Sequence, residues 1–282
     1  MKRLIVLLGV AGVSFSAILV RWSTAPSLIL VLYRVLFASL LLMPLAWARR
    51  ADFQALRRRE FCLSLLSGVF LGIHFACYFE ALRWTSIAAA VVLVDTEVLF
   101  VALASVLLLR KSLSRRAWLA VLLAFGGSVV VAMADSSAAV DALRGNLLAL
   151  AGSLCMAVYT MLGSVCRRRL TTTVYTLLVY LAAAGTVLCA ALLNGQPVTG
   201  WGPRNLLTAL GMAVFCTLLG HSVFSWGLKY LPPAFVSTAC LLEPVLASVW
   251  GLLLFRERPG IQVVLGGVLI LLGIGLYSRE EP

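Results

Sequence analysis

Apolar runs of about twenty residues recur along this chain, a length that crosses a bilayer as a helix. Short polar or Pro/Gly-marked turns separate them, and the pattern predicts spans at 4–20, 27–47, 61–82, 87–109, 115–134, 144–166, 173–193, 206–228, 234–254 and 260–277. The first run follows Lys2 and Arg3 as a signal peptide would, but more spans follow and no A-x-A site closes it, so it is read as retained. A barrel would instead show alternating segments of about ten residues.

The runs are not independent of one another. Glu97 to Arg110 reads EVLFVALASVLLLR, and 146 positions later Glu243 to Arg256 reads EPVLASVWGLLLFR. At the same offset ALRWTSIA from Ala81 meets GLKYLPPA from Gly227, and Gly127 meets Gly273. Each half holds five spans, an odd number, so the second copy enters the membrane with opposite polarity. The expected fold is an all-α integral membrane protein of ten transmembrane helices in two inverted five-helix repeats, 1–136 and 142–282. Inverted repeats recur in secondary transporters, where two halves expose a central site alternately to each face; duplication without transport is the plainer alternative.

Composition agrees, with 62% hydrophobic and 12% charged residues against roughly 45–50% apolar in soluble chains. With the N-terminus in the cytoplasm, sixteen of the 23 Lys and Arg fall in cytoplasmic segments, Arg57–Arg59 and Arg167–Arg169 among them, and six fall on the other side. Arg34 alone lies within a span. Both termini are therefore expected in the cytoplasm of a multi-pass cell-membrane protein, and the net charge of +12 follows from topology and anionic lipid headgroups. Thin loops with scattered charge speak against a nucleic-acid surface. The turn from Arg110 to Arg116 is strongly basic, whereas its counterpart Arg256-Glu257-Arg258 carries one net positive charge.

The chain resembles the EamA-type transporters of the drug/metabolite transporter superfamily over essentially its full length. The resemblance rests on VSFSAILVRW from Val13, LYRVLFASLLLMPLA from Leu32, LEPVLASVWGLLLFRERP from Leu242 and GGVLILLGIG from Gly266. It implies a central cavity lined mainly by the first four spans of each half, with the fifth and tenth more peripheral. Members of the family usually carry Thr-Pro or a similar uncharged pair where this chain reads Asp95-Thr96-Glu97-Val98, and an acid where it has Lys111. The resemblance thus constrains mechanism better than cargo.

Ionisable residues inside spans are costly and mark candidate sites. Those for substrate binding are Glu97, Glu243, Arg34, Asp95, Tyr78 and Trp226; those for proton coupling are His74, His221, Glu97 and Glu243. Asp95 and Glu97 stand about 200° apart around a helix, so both reach one narrow cavity only if the helix unwinds, and Glu97 is favoured because Glu243 matches its depth. Pro244 frees a backbone carbonyl, which either kinks the helix at binding depth or packs as an ordinary kink. Arg34 either pairs with an acid, the cheaper default, or meets an anionic group of the cargo. Glu80 and Arg83 are spaced to pair locally. His74 and His221 stand one residue out of repeat register and either relay protons or sit neutral in the bundle.

The aromatics Trp22, Tyr33, Phe75, Tyr78, Trp84, Trp226 and Tyr230 suit an amine through cation-π contacts, and an interfacial belt explains Trp22, Trp84 and Tyr230 equally. The seven cysteines read as packing residues, and no metal or cofactor motif is visible. Glycine-rich segments allow close helix approach within the monomer or in a homodimer. With no catalytic or ATP-binding signature, the expected function is secondary active transport of a small organic metabolite (amino acid, amine or drug-like solute) by alternating access, with proton coupling as an option and export favoured by the resemblance. A membrane-embedded enzyme and a channel or structural subunit are the alternatives. The expected partners are the solute and membrane lipids.

Overall fold

The computed structural model describes residues 1–110, 112–133, 141–256 and 258–279, apart from the side chains of residues 17, 87 and 88. Lys111 and Glu257, which carry the loop contrast drawn from sequence, lie outside the described residues. Ten helices are long and apolar enough to cross a membrane: α1 (Lys2–Arg21), α2 (Ser27–Ala48), α3 (Arg58–Ala81), α4 (Ala89–Leu107), α5 (Arg115–Ala132), α6 (Ala142–Cys166), α7 (Thr172–Leu193), α8 (Pro203–Gly227), α9 (Pro233–Phe255) and α10 (Ile261–Ser278). An even number of crossings returns the chain to the face on which it began, called here the N-terminal face.

Local chemistry sets the helix starts. Ser86, Ser114 and Asp141 each accept a hydrogen bond from the backbone N–H three residues on, satisfying a donor that the first turn leaves free. Pro203 and Pro233 occupy the first helical turn of α8 and α9, where their missing N–H costs nothing. Leu, Val and Ile side chains on α2, α5 and α10 face outward, as lipid-facing positions must.

The packing obeys the repeat. α1 packs on α8 as α6 packs on α3, α2 on α8 as α7 on α3, and α4 on α6 as α9 on α1. The self-paired partners α2·α7, α4·α9 and α5·α10 lie against each other. At α5·α10, a Cβ at Gly127 would meet the Gly266 carbonyl at 2.6 Å and the Ile270 amide at 2.8 Å, while one at Gly273 would meet the Ala120 carbonyl and Ala124 amide at 2.7 Å. Ala120 and Ala124 are the repeat mates of Gly266 and Ile270, so one contact is made twice and the two helices run antiparallel. Gly127, Gly266 and Gly273 are thus used within the monomer, whereas Gly126 and Gly275 meet nothing within 4 Å. The two non-glycine residues with positive φ among those described, Arg110 (51°) and Arg256 (58°), are also repeat mates.

The two halves nevertheless differ in how they close. Toward the N-terminal face Val6, Val10, Val98, Val101, Phe224, Leu241 and their neighbours form a buried apolar cluster. The repeat mates of Val98, Val101, Phe224 and Leu241 are Pro244, Ala247, Tyr78 and Asp95, and these line a cavity.

Candidate functional site

The cavity has a volume of about 340 Å³ and is walled by α1, α2, α3, α4, α6, α8 and α9. Neither α5 nor α10 lines it, in line with their peripheral place, and α7 is also absent among the described wall residues. Arg34, His74, Tyr78, Asp95, Glu97, His221 and Glu243 all line it. Trp226 does not. It stands two positions beyond the cavity-lining Phe224, about 200° around the helix, and packs on Tyr230 with ring centroids 4.9 Å apart.

Asp95 and Glu97 reach one cavity because the helix between them breaks. α4 is two segments, Ile87–Asp95 and Glu97–Leu107, hinged at Thr96. The Thr96 hydroxyl donates to the Leu93 carbonyl at 2.5 Å and meets Ser153 Oγ at 2.8 Å, a side-chain competitor for the helical ladder. The choice posed by an unbroken helix therefore does not arise. At the mated position α9 also breaks, between Pro233–Cys240 and Glu243–Phe255. Pro244 is not a mid-helix kink but lies in the first turn of the second segment, which its ring favours. Glu97 and Glu243 thus each head a half-helix, where the N-terminal dipole favours negative charge.

Their partners are unequal. Glu97 is buried, and its Oε1 accepts from Ser237 Oγ of α9 at 2.7 Å and Thr160 Oγ1 of α6 at 3.1 Å. Asp95 accepts from Ser128 of α5. Glu243 has no hydrogen bond or ion pair to a described residue and lies within electrostatic reach of Arg34.

Arg34 departs from the expected ion pairing. It is 3% exposed, donates from Nε to Thr217 Oγ1 at 2.7 Å and stacks 5.3 Å from the Phe75 ring centroid, and its Nη2 has no partner. No described carboxylate lies within ion-pair distance of it; the described ion pairs are Arg83–Glu80 and Arg169–Glu60. Part of the aromatic wall is therefore already occupied by the protein's own cation.

His74 Nδ1 lies 3.0 Å from the Gly152 carbonyl, whereas His221 Nδ1 is buried without a partner. α8 is π-helical over Ala213–His221, unlike its mate α3. The extra residue per wide turn brings His221 to the same cavity as His74 despite the one-residue offset. Glu80 pairs with Arg83 at 3.0 Å as its spacing implies and also accepts from Trp84 Nε1 at 2.9 Å. Trp22 and Tyr230 stand exposed near span ends, and Tyr33 donates to the Val198 carbonyl at 2.7 Å.

Sequence reasoning missed Ser128, Thr160, Thr217 and Ser237, which hold the site's charges. A hydroxyl inside an apolar span is the available signal, and a weak one, since Ser39, Ser64, Ser105 and Thr176 bond their own helix carbonyls four residues back.

Ten membrane-length helices in two inverted halves, closed around a cavity that gathers three carboxylates and a guanidinium beside the breaks in α4 and α9, have the architecture of a membrane transporter. The chain belongs to the EamA-like transporter family, which it matches over residues 2–133 and 143–279. It is 26% identical over 258 residues to an uncharacterized transporter of Archaeoglobus fulgidus, covering 89% of this chain and 88% of that protein. It is 28% identical over 268 residues to the pseudopaline exporter CntI of Pseudomonas aeruginosa, covering 92% of this chain and 88% of the exporter. A protein crystal structure has the same fold, with a TM-score of 0.84 and 18% identity over 98% of this chain and 96% of that one. The protein is a multi-pass membrane transporter, not an enzyme.

Proposed function

We propose that this protein is a secondary active transporter that exports a small zwitterionic metabolite by alternating access, with both termini in the cytoplasm. One observation carries the reading: the Arg34 guanidinium and the Glu243 carboxylate face the same buried cavity, and neither has a partner of opposite charge at contact distance. Charges held at membrane depth are costly unless compensated. A cargo that brings an anionic group to Arg34 and an ammonium to Glu243 compensates both. The unpartnered His221 Nδ1 and the Tyr78 ring complete the wall around it. Asp95, with one bond to Ser128, lies close enough to bias the site toward cations.

The state of the cavity supports the direction of opening. A second hollow, lined by Arg21, Ser248, Arg258 and Pro259, shares Ala247 with the central one and leads toward the face opposite the termini. Export is also supported by the relative named as an exporter, and the cytoplasmic termini by the distribution of Lys and Arg. Proton coupling would act through the cavity carboxylates and histidines.

The test is efflux from proteoliposomes loaded with a mixture of proteinogenic amino acids and polyamines, read by mass spectrometry with and without an imposed pH gradient. The reading expects chemically unchanged zwitterions to leave faster than from protein-free vesicles, and the gain to vanish in Arg34→Gln. Efflux no faster than from protein-free vesicles, or undiminished in Arg34→Gln, overturns it.

A further inference from the structure

Glu97 and Glu243 are repeat mates at one depth, yet their surroundings give them different work. We infer that Glu97 is not a cargo ligand but the pin that holds the N-terminal-face gate shut, while the cargo's cationic group belongs to Glu243. The inference deepens the transport reading and rests on it for the identity of the gate.

Three observations converge. Glu97 Oε1 takes hydrogen bonds from Ser237 and Thr160 at 2.7 and 3.1 Å, so one carboxylate oxygen ties α4 of the first half to α6 and α9 of the second. These groups lie on the N-terminal-face side of the helix breaks, in the second segment of α4, the first segment of α9 and the last turns of α6. They adjoin the buried apolar cluster of Val98, Val101, Ala157 and Ala239, the plug that separates the cavity from that face.

The mated position is built without the pin. The residues 146 positions before Ser237 and Thr160 are Val91, which lines the cavity and has no hydroxyl, and Ser14, whose hydroxyl donates to the Ala11 carbonyl and accepts from Trp250 Nε1 rather than meeting Glu243. Pro244 and Ala247, the mates of Val98 and Val101 in the plug, line the cavity instead. The same helix break thus carries a satisfied carboxylate where the gate is closed and a bare one where it is open.

In an alternating cycle the Glu97 bonds must break before α9 can leave α4 and α6, whereas Glu243 accepts no hydrogen bond from a described residue that would have to break. A carboxylate that accepts two hydroxyls inside a bundle is a strong acceptor in a low-dielectric site, and protonating or bypassing it weakens both bonds. Opening toward the N-terminal face is thereby tied to one side chain that the cargo need not touch.

Cys240 provides a native reporter because it lines the cavity. With the other six cysteines replaced, a membrane-impermeant maleimide is applied to oriented proteoliposomes from the N-terminal face, without cargo. Thr160→Val and Ser237→Ala are each expected to speed Cys240 labelling from that face about threefold, the equivalent of an average interhelical side-chain hydrogen bond in a membrane protein, and their combination more. Thr160→Ser, which keeps the hydroxyl, and Thr238→Val, whose hydroxyl bonds only the Ala234 carbonyl of its own helix, are expected to label at the native rate.

Unchanged labelling in the combined variant overturns the inference. So does acceleration from both faces alike, which is general loosening, or equal acceleration by Thr238→Val. Because the assay contains no cargo, the pin can fail while transport stands, and transport can fail while the pin stands.

Discussion

Arg34 Nε donates to Thr217 Oγ1 at 2.7 Å, within the π-helical turn of α8. The wide turn presents the Thr217 hydroxyl to α2, and the bond holds the guanidinium plane beside Phe75 with the buried Nη2 left for a ligand. A planar fork held at one corner is a directional anion receptor.

Arg34→Lys keeps the charge and loses the fork. Its apparent affinity for the exported zwitterion is expected to fall at least about tenfold, roughly 1.4 kcal/mol, while the protein elutes from a sizing column as the native protein does. Concentration-dependent efflux of the solute found in the vesicle screen measures it; native affinity in Arg34→Lys would remove Arg34 from the binding site.

Val91→Ser supplies the hydroxyl mated to that of Ser237, which the Glu243 side lacks. If the halves exchange conformations, the new donor favours closure on the face opposite the termini, and Cys240 labelling from the N-terminal face is expected to rise about threefold. The impermeant-maleimide assay reads it, with slower labelling from the opposite face as the companion result. No change on either face would mean that the halves do not trade places.

Gly266→Ala is expected to destabilise the bundle, because its Cβ would stand 2.5 Å from the Gly127 carbonyl and 2.8 Å from the Val131 amide, neither of which is a flexible side-chain end. Overpacking of this kind costs about 1–3 kcal/mol. Gly275→Ala, which meets nothing within 4 Å, is the control, and thermal unfolding in detergent should separate the two variants clearly.

Arg167 is 2% exposed and donates to the carbonyls of Ser225 and Leu170 and to Thr172 Oγ1. Arg167→Met should cost at least about 1.5–3 kcal/mol, the value of a single hydrogen bond to a charged group, since three acceptors lose one donor. Unfolding midpoints of Arg167→Met and Arg167→Lys, with Lys in between, would check it.

Span number and repeat register were legible because they depend on run length and on an offset that carries Ala81–Gly127 onto Gly227–Gly273 without a gap; that Asp95 and Glu97 share one cavity was not. The break at Thr96 was not, since a threonine inside an apolar helix bonds its own backbone without breaking it in most contexts, as Thr176 does. The break in α9 carried a proline as its mark, whereas that in α4 carries Val98 at the same place. The π-helical turn left no trace except the one-residue slip between His74 and His221, which reads as drift until the geometry explains it. Arg34 was expected to pair with an acid because pairing is the general economy of membrane interiors; the bond to Thr217 and the aromatic face of Phe75 were the alternatives that local packing chose. Trp226 was misplaced because proximity in sequence to cavity residues says nothing about which side of a helix is shared.

At the α5·α10 contact backbone meets backbone, with Gly127 against Gly266 and Gly273 against Ala120. A junction where carbonyls and amides approach this closely, with only Val131, Ile270 and Ala124 side chains beside them, has little compliance. Lying outside the cavity wall, such a seam would serve a rocking motion as its fulcrum. In the alternating cycle proposed above, stiffness at the seam would fix how far the broken helices α4 and α9 swing for each degree of rotation, making stroke length a property of four small residues far from the cargo.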